Sequence, residues 1–218
     1  MQLFLDTADA ASIRRAAEMG VLDGVTTNPT LVAKAGRSIS DVIVEICEIV
    51  KGPVSVESVA ETAEGMVGDA RKFSKLSKHV VVKFPFCEEG LKATKIVSKE
   101  GIRVNMTLIF SPLQAWLAAK AGAAYVSPFI GRLDDIATPG MQLIEQIVRL
   151  FDRHRFSTKV LAASIRHPIH VLEAALLGAH VATMPPEVFH KMFPHPLTKS
   201  GIEQFNKDYR AIPPSPSL

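Results

Sequence analysis

The sequence predicts an α/β chain folded as one (β/α)8 (TIM) barrel across residues 1–218. Three observations predict it. Eight short apolar segments recur along the 218 residues, and the stretches between them carry helical periodicity. Polar side chains collect late in those segments, where a barrel places its site. The length suits one large domain better than two small ones. An open doubly wound sheet is the alternative, but no glycine-rich dinucleotide or P-loop turn follows any segment.

The elements follow in order. "QLFLDT" (2–7) is the first strand, after which Asp6 or Asp9 can cap a helix. "GVTTN" (24–28) ends at Asn28 before Pro29, a pair that favours a turn. In "SDVIVEICEIV", Val42, Ile43, Ile46, Ile49 and Val50 share one stripe, and Ser40 or Asp41 can cap its start. "PVSVESV" (53–59) is the third strand. "VVVKFPF" (80–86) is the fourth, rich in β-branched and aromatic residues and bounded by polar runs, as a buried parallel strand is. "RVNMTLIF" (103–110) leads into "SPLQAWLAAKAG", a helix with Ser111 as cap, Pro112 in its first position and Gly122 at its close. "YVSPFI" (125–130) and "KVLAASI" (159–165) come next. "HPIHVLEAALLG" repeats the helix pattern with Pro168 and Gly178, and "HVATMP" (180–185) is the eighth strand. The tail "AIPPSPSL" (211–218), rich in proline and serine, reads as flexible chain.

Composition narrows the function. Hydrophobic residues make up 47% and charged residues 22%, enough for a sizeable core. A net charge of +3 without a long basic run argues against nucleic acid but leaves arginines for small anions. Cys47 and Cys87 are the two cysteines, too few for a disulfide framework, so a cytoplasmic protein is expected. The N-terminus shows no basic region followed by an apolar stretch. No apolar run reaches the roughly 20 residues needed to cross a bilayer, so no membrane partner is expected.

Successive strand residues point to opposite faces. Leu3, Leu5, Val54, Val56, Val80, Val82, Phe84, Val104, Met106, Leu108, Val126, Leu161 and Ile165 fall on the face that helices cover. Asp6, Asn28, Glu57, Lys83, Asn105, Thr107, Ser127, Phe129, Ser164 and Arg166 fall on the other. Lys83 stands in an otherwise wholly apolar run. Such a lysine either snorkels to a wet end or has a lowered pKa. Glu57 is likewise costly to bury alone. Asp6 can be a cap and Asn28 a turn residue. Arg166 can pair with an acid, or meet an anion at the start of the helix from Pro168. His167 with His170, and His190 with His195, raise a metal site. They share no defined spacing with a third ligand and HExxH is missing, so surface and capping roles are expected and no metal is assigned. Cys87 has no partner histidine in a nucleophile motif and is assigned to packing.

These groups suit one chemistry. An amine walled from water attacks a carbonyl carbon, and the protonated imine then accepts electrons from a breaking carbon–carbon bond. Asp6 and Glu57 can move the protons. Asn28, Asn105, Thr107, Ser127 and Ser164 can hold sugar hydroxyls and a water. Arg166, with Arg132 after the sixth strand, can bind phosphate. No metal or organic cofactor is needed. A phosphorylated sugar and a Schiff-base lyase or transferase are the expectation.

The chain also resembles the small transaldolase family, which includes the fructose-6-phosphate aldolases. The likeness runs from "LFLDTAD" and "GVTTNPTL" through "VSVE", "VVKFP", "VNMTLIFS" and "YVSPFIGRLDD" to "LAASIRHP", "GAHVATMPP" and "HPLTKSGIEQF". It implies that Lys83 forms the Schiff base and that Asp6 is the acid/base for aldol cleavage. It implies that Glu57 and Thr107 position a water, assisted by Asn28 and Asn105, and that Ser127, Ser164, Arg132 and Arg166 bind substrate and phosphate. It further implies an extra C-terminal helix, near "IEQFNKDY", packed on a neighbouring subunit in a homo-oligomer, usually a decamer of two pentameric rings.

Within that family, the resemblance implies tyrosine and glutamine in the aldolase branch where Phe129 and Glu57 stand here; both residues, and "GRLDD", match the transaldolase branch. A tyrosine hydroxyl there would assist protonation of a free carbanion, whereas phenylalanine leaves the carbanion for a second aldehyde. Phe86, Cys87 and His167 depart from the family's pattern, the first two being expected at the mouth of the site. A transaldolase is therefore expected, with an aldolase second and a sugar-phosphate-binding scaffold third.

Overall fold

The computed structural model describes residues 1–213. Eight parallel strands close into a barrel in chain order. They are β1 (Gln2–Asp6), β2 (Gly24–Thr26), β3 (Val54–Glu57), β4 (Val80–Pro85), β5 (Val104–Ile109), β6 (Tyr125–Pro128), β7 (Lys159–Ala162) and β8 (Val181–Met184). β1 closes the ring by pairing with β8, Gln2 opposite Val181. The fold is the expected (β/α)8 barrel.

The strands stop earlier than their apolar segments because the last residues turn into helix caps. Asp9 caps α1 (Ala10–Glu18) and Asn28 caps α2 (Pro29–Lys34). Ser38, not Ser40 or Asp41, caps α3 (Ile39–Val50), accepting from the Asp41 amide. Thr62 caps α4 (Ala63–Phe73). Cys87 caps α5 (Glu88–Lys99), its Sγ accepting from Gly90 N at 3.3 Å. The thiol is exposed, so its assignment to packing is corrected to a cap. Ser111 caps α6 (Pro112–Ala121), closed by Gly122 as expected. Then follow α7 (Ile130–Asp134), α8 (Gly140–His154), α9 (Pro168–Leu176) and α10 (Pro186–His190).

Two apolar layers hold the barrel. Outside, Val54, Val56, Val82, Phe84, Met106 and Val126 pack under Ile43, Ile46, Ile144, Ile147 and Phe151 of the helices. Inside, Phe4, Val81, Tyr125, Leu161 and Val181 fill the lower half of the barrel. Gly24 makes room for this plug, since a Cβ there would lie 2.6 Å from the Phe4 ring. Leu161 thus faces inward rather than toward the helices. Leu108 also leaves the helix-covered face. Its φ is +59°, the register slips between Met106 and Ile109, and Ile109 takes the outer position.

Helix α11 (Pro196–Arg210) follows the last barrel helix and buries none of its side chains. Leu197, Phe205 and Tyr209 are each about three-quarters exposed. A buried side chain of this kind contributes about 1.5–3 kcal/mol, so α11 gains little from its own barrel. The tail was expected from residue 211. Ala211 and Ile212 instead still hydrogen-bond to Asp208 and Tyr209 of the last turn. Residues 214–218 lie outside the described residues. Among the described residues, no helix is long and apolar enough to cross a membrane.

Candidate active site

Register brings the key groups together. Glu57 on β3 lies opposite Lys83 on β4, which lies opposite Asn105 on β5. All three point inward, above the Phe4 and Val81 plug. Lys83 is only 6% exposed. Its Nζ sits 2.8 Å from Glu57 Oε2 and donates to the Thr27 carbonyl at 3.0 Å. The apolar neighbours in "VVVKFPF" mislead here: Val82 and Phe84 face the helices, and the lysine's own side of the strand is polar. The amine is buried beside a carboxylate, and no route to solvent by snorkelling is used.

Asp6 faces the same space. Asp9 does the capping, with Oδ2 accepting from Ser12 N at 2.9 Å, so Asp6 is left for the cavity. Asp6 Oδ1 accepts from Thr26 Oγ1 at 2.7 Å, and Thr26 Oγ1 is 2.7 Å from Thr183 Oγ1. With Asp6 ionised, Thr183 donates to Thr26 and Thr26 to Asp6, which fixes the direction of the chain. Burial pushes the Asp6 carboxyl above the ordinary aspartate range; the Thr26 hydrogen bond and the Lys83 charge oppose that, and Glu57 adds to it.

These groups line a cavity of about 950 Å³ at the carboxyl ends of the strands. Asn28, Thr107, Ser127, Phe129, Arg132, Ser164 and Arg166 line it too. Asn28 serves twice, since its Oδ1 also accepts from Leu31 N at 3.0 Å to cap α2. Thr107 is buried, and its Oγ1 has no hydrogen-bond partner among the described residues. Asn105 is the exception. It is wholly buried beneath the cavity, donating to Ser55 Oγ at 3.2 Å and accepting from Ser127 Oγ at 2.7 Å. It therefore orients Ser127 instead of meeting the cavity itself.

The two arginines stand at the rim. The Arg132 guanidinium carbon lies 5.0 Å from the centre of the Phe129 ring, which packs edge-on against Phe110. Arg166 donates to Asp135 Oδ2 at 2.7 Å, both side chains about half exposed. A pair so open to water holds weakly, which leaves the guanidinium able to exchange Asp135 for another anion. Gly131 lets Arg166 cross it, for a Cβ there would lie 2.6 Å from Arg166 Nε and 2.2 Å from Ser164 O. Ser164 has φ +59°, as does Leu108, and both line the cavity. Each such non-glycine residue stores about 1–3 kcal/mol that the surrounding packing must hold.

Several expectations change. Phe86 packs on the outer core and neither it nor Cys87 lines the cavity. Of the histidines raised as ligands, His195 caps α11 as expected, its Nδ1 accepting from Leu197 N, whereas His170 is buried and its Nε2 approaches Asp134 Oδ2 at 3.2 Å. Sequence reasoning passed over Thr26, Thr183, Ser55 and Lys34. Alternation along β2, β3 and β8 points Thr26, Ser55 and Thr183 inward, so that signal was present. Lys34, at the end of α2, lines the cavity through the path of the chain, which carries no such signal.

Comparison with known proteins identifies the family. The family model described as transaldolase/fructose-6-phosphate aldolase matches residues 3–213. The chain belongs to this family. A protein of Clostridium botulinum (strain Hall) called "probable transaldolase" is 56% identical over 209 residues, 96% of each chain. One of Aquifex aeolicus with the same description is 54% identical over 216 residues, 99% of this chain and 100% of the other. This member of the family is accordingly an enzyme. Among solved structures, a designed cube-shaped protein cage superposes with a TM-score of 0.62 at 14% identity, covering 97% of this chain and 78% of that one. A mandelate oxidase variant gives 0.60 at 15% identity, covering 84% and 63%. Those two likenesses concern the barrel alone.

Proposed function

We propose that this family member is a Schiff-base transaldolase, moving a dihydroxyacetone unit from a ketose phosphate to an aldose phosphate without a cofactor. The observation that carries this is the buried Lys83, 2.8 Å from Glu57, on the floor of a cavity whose rim holds Arg132 and Arg166. Glu57 is placed to take a proton from the Lys83 ammonium. The free amine then attacks the ketose carbonyl carbon, and the carbinolamine loses water to give a protonated imine. Asp6 takes the proton of the hydroxyl next to the scissile bond. The carbon–carbon bond breaks, its electron pair passes to the imine nitrogen as an enamine, and the aldose phosphate leaves. The enamine carbon attacks a second aldehyde, Asp6 returns the proton, and water releases the new ketose and Lys83. Thr107, its hydroxyl unspent, can hold that water with Glu57 and Asn28 beside it. Ser127, steadied by Asn105, can hold a sugar hydroxyl, and Ser164 with the two arginines can hold the phosphate.

The proposed substrates are of the sedoheptulose 7-phosphate and fructose 6-phosphate kind, with glyceraldehyde 3-phosphate or erythrose 4-phosphate as acceptor, and the proposed role is in the pentose phosphate pathway of the cytoplasm. The bare apolar side of α11 supports its packing on another copy, the decamer being the arrangement the family resemblance implies. The test is glyceraldehyde 3-phosphate release from fructose 6-phosphate with and without erythrose 4-phosphate. Release that depends on the acceptor is expected; comparable release without it would make the protein an aldolase. Phe129, which presents no hydroxyl, favours transfer. Phe129→Tyr is expected to raise acceptor-independent release by about 10²-fold, the lower end of what a positioned proton donor contributes. An unchanged ratio of the two rates would show that the ring does not govern the outcome.

A further inference from the structure

We propose that His170 is a positioning residue for phosphate recognition, tying the segment that carries Arg166 to the one that carries Arg132. It rests on those arginines holding the substrate phosphate, as proposed above. His170 is the third residue of α9 and is 6% exposed. Its Nδ1 accepts from the backbone N–H of Arg166 at 3.3 Å, and its Nε2 faces Asp134 Oδ2 at 3.2 Å. Because Nδ1 accepts, the neutral ring carries its hydrogen on Nε2, the nitrogen that approaches the Asp134 carboxylate. Asp134 is the last residue of α7, two beyond Arg132, and its Oδ1 accepts from Gly140 N at 2.9 Å to start α8.

The ring thus does a job that the start of α9 otherwise lacks. The N-cap residue, His167, makes no side-chain capping bond. The third helical residue instead reaches back past the cap to Arg166 N, a variant of the reciprocal bonding of a capping box. The same ring also spans to α7, so β7's exit and β6's exit are held by one side chain. Gly131 N donating to Ser164 O at 3.1 Å joins the same two segments from the other side. With both ties in place, Arg132 and Arg166 are fixed at one end of the cavity, although the Arg166 head is itself half exposed. Protonation of His170 would put a hydrogen on Nδ1 and abolish its acceptor. Burial opposes that charge most, the His167 ring, with its centre 3.7 Å away, and Arg166 add to it, and Asp134 and Glu173 favour it, so the imidazole is held below its ordinary range.

The test compares phosphorylated and unphosphorylated ketoses. His170→Ala is expected to raise KM for fructose 6-phosphate by about 10-fold, with kcat within about 2-fold and turnover of free fructose unchanged. His170→Asn, which restores an acceptor near Arg166 N, should recover most of that affinity. Equal losses on both ketoses, or an unchanged KM, would overturn the proposal. Calorimetric binding of inorganic phosphate to Asp134→Asn provides a second readout, independent of turnover and of whether His170→Ala folds. A Kd raised several-fold over wild type supports the tie, and an unchanged Kd overturns it. If wild type binds phosphate yet turns over no sugar phosphate, the transaldolase assignment fails and this one is judged on the phosphate binding alone.

Discussion

Lys83→Met is expected to abolish turnover, by about 10⁴-fold or more, because it removes the atom proposed to bond to substrate. Borohydride with fructose 6-phosphate should add the mass of a reduced adduct to wild type and none to the variant. The same change has a second, separable effect. It leaves the Glu57 carboxylate beside a thioether, and stranding one member of a buried pair costs about 3–5 kcal/mol. Lys83→Met combined with Glu57→Gln should therefore recover stability while remaining inactive. Adduct formation on Lys83→Met would move the Schiff base to another amine, and Lys34, on the cavity wall, would be the first to examine.

Asp6→Asn should show opposite effects on rate and stability. Activity falls by about 10²–10⁴-fold, the usual contribution of a positioned acid/base. Stability at neutral pH rises by a few degrees in Tm, because Asn accepts the same Thr26 hydrogen bond without burying a charge. The sign follows from linkage. The folded carboxyl is raised, so folding is favoured while Asp6 is protonated and loses that advantage as pH climbs from the ordinary aspartate range through the raised value. Wild type and variant should accordingly melt together in acid and diverge above that window. A variant no more stable than wild type at pH 7 would mean that Thr26 and Lys83 fully offset the burial.

Much of this site could be read from strand alternation, and its failures have local causes. β3 and β4 alternate without interruption, so Glu57 and Lys83 could be placed inward from sequence alone. Their 2.8 Å pairing could not, because it depends on which residues the register sets side by side. At β5 and just past β7 the backbone turns left-handed at Leu108 and Ser164, and a parity argument assumes that no residue does so. Leu108 was misplaced for that reason. Leu161 was assigned outward with Ile165, yet Ser164 between them breaks the alternation, and only Ile165 packs outside. Asn105 was given the right face but the wrong depth. Depth depends on how far neighbouring strands rise, which a single strand does not record. The family resemblance supplied roles for residues, such as Asn28, that local chemistry alone assigns equally well to a turn.

The plug formed by Phe4, Val81, Tyr125, Leu161 and Val181 has a kinetic consequence. With the barrel filled below by this cluster, the cavity at the carboxyl ends of the strands is the doorway to Lys83 among the described residues. In the proposed transfer, the first aldehyde leaves by that doorway before the second enters, and the three-carbon fragment waits on Lys83 in between. The proposed reaction then runs as two half-reactions whose order of arrival and departure follows from the architecture, and initial rates with ketose and acceptor both varied should give parallel double-reciprocal lines.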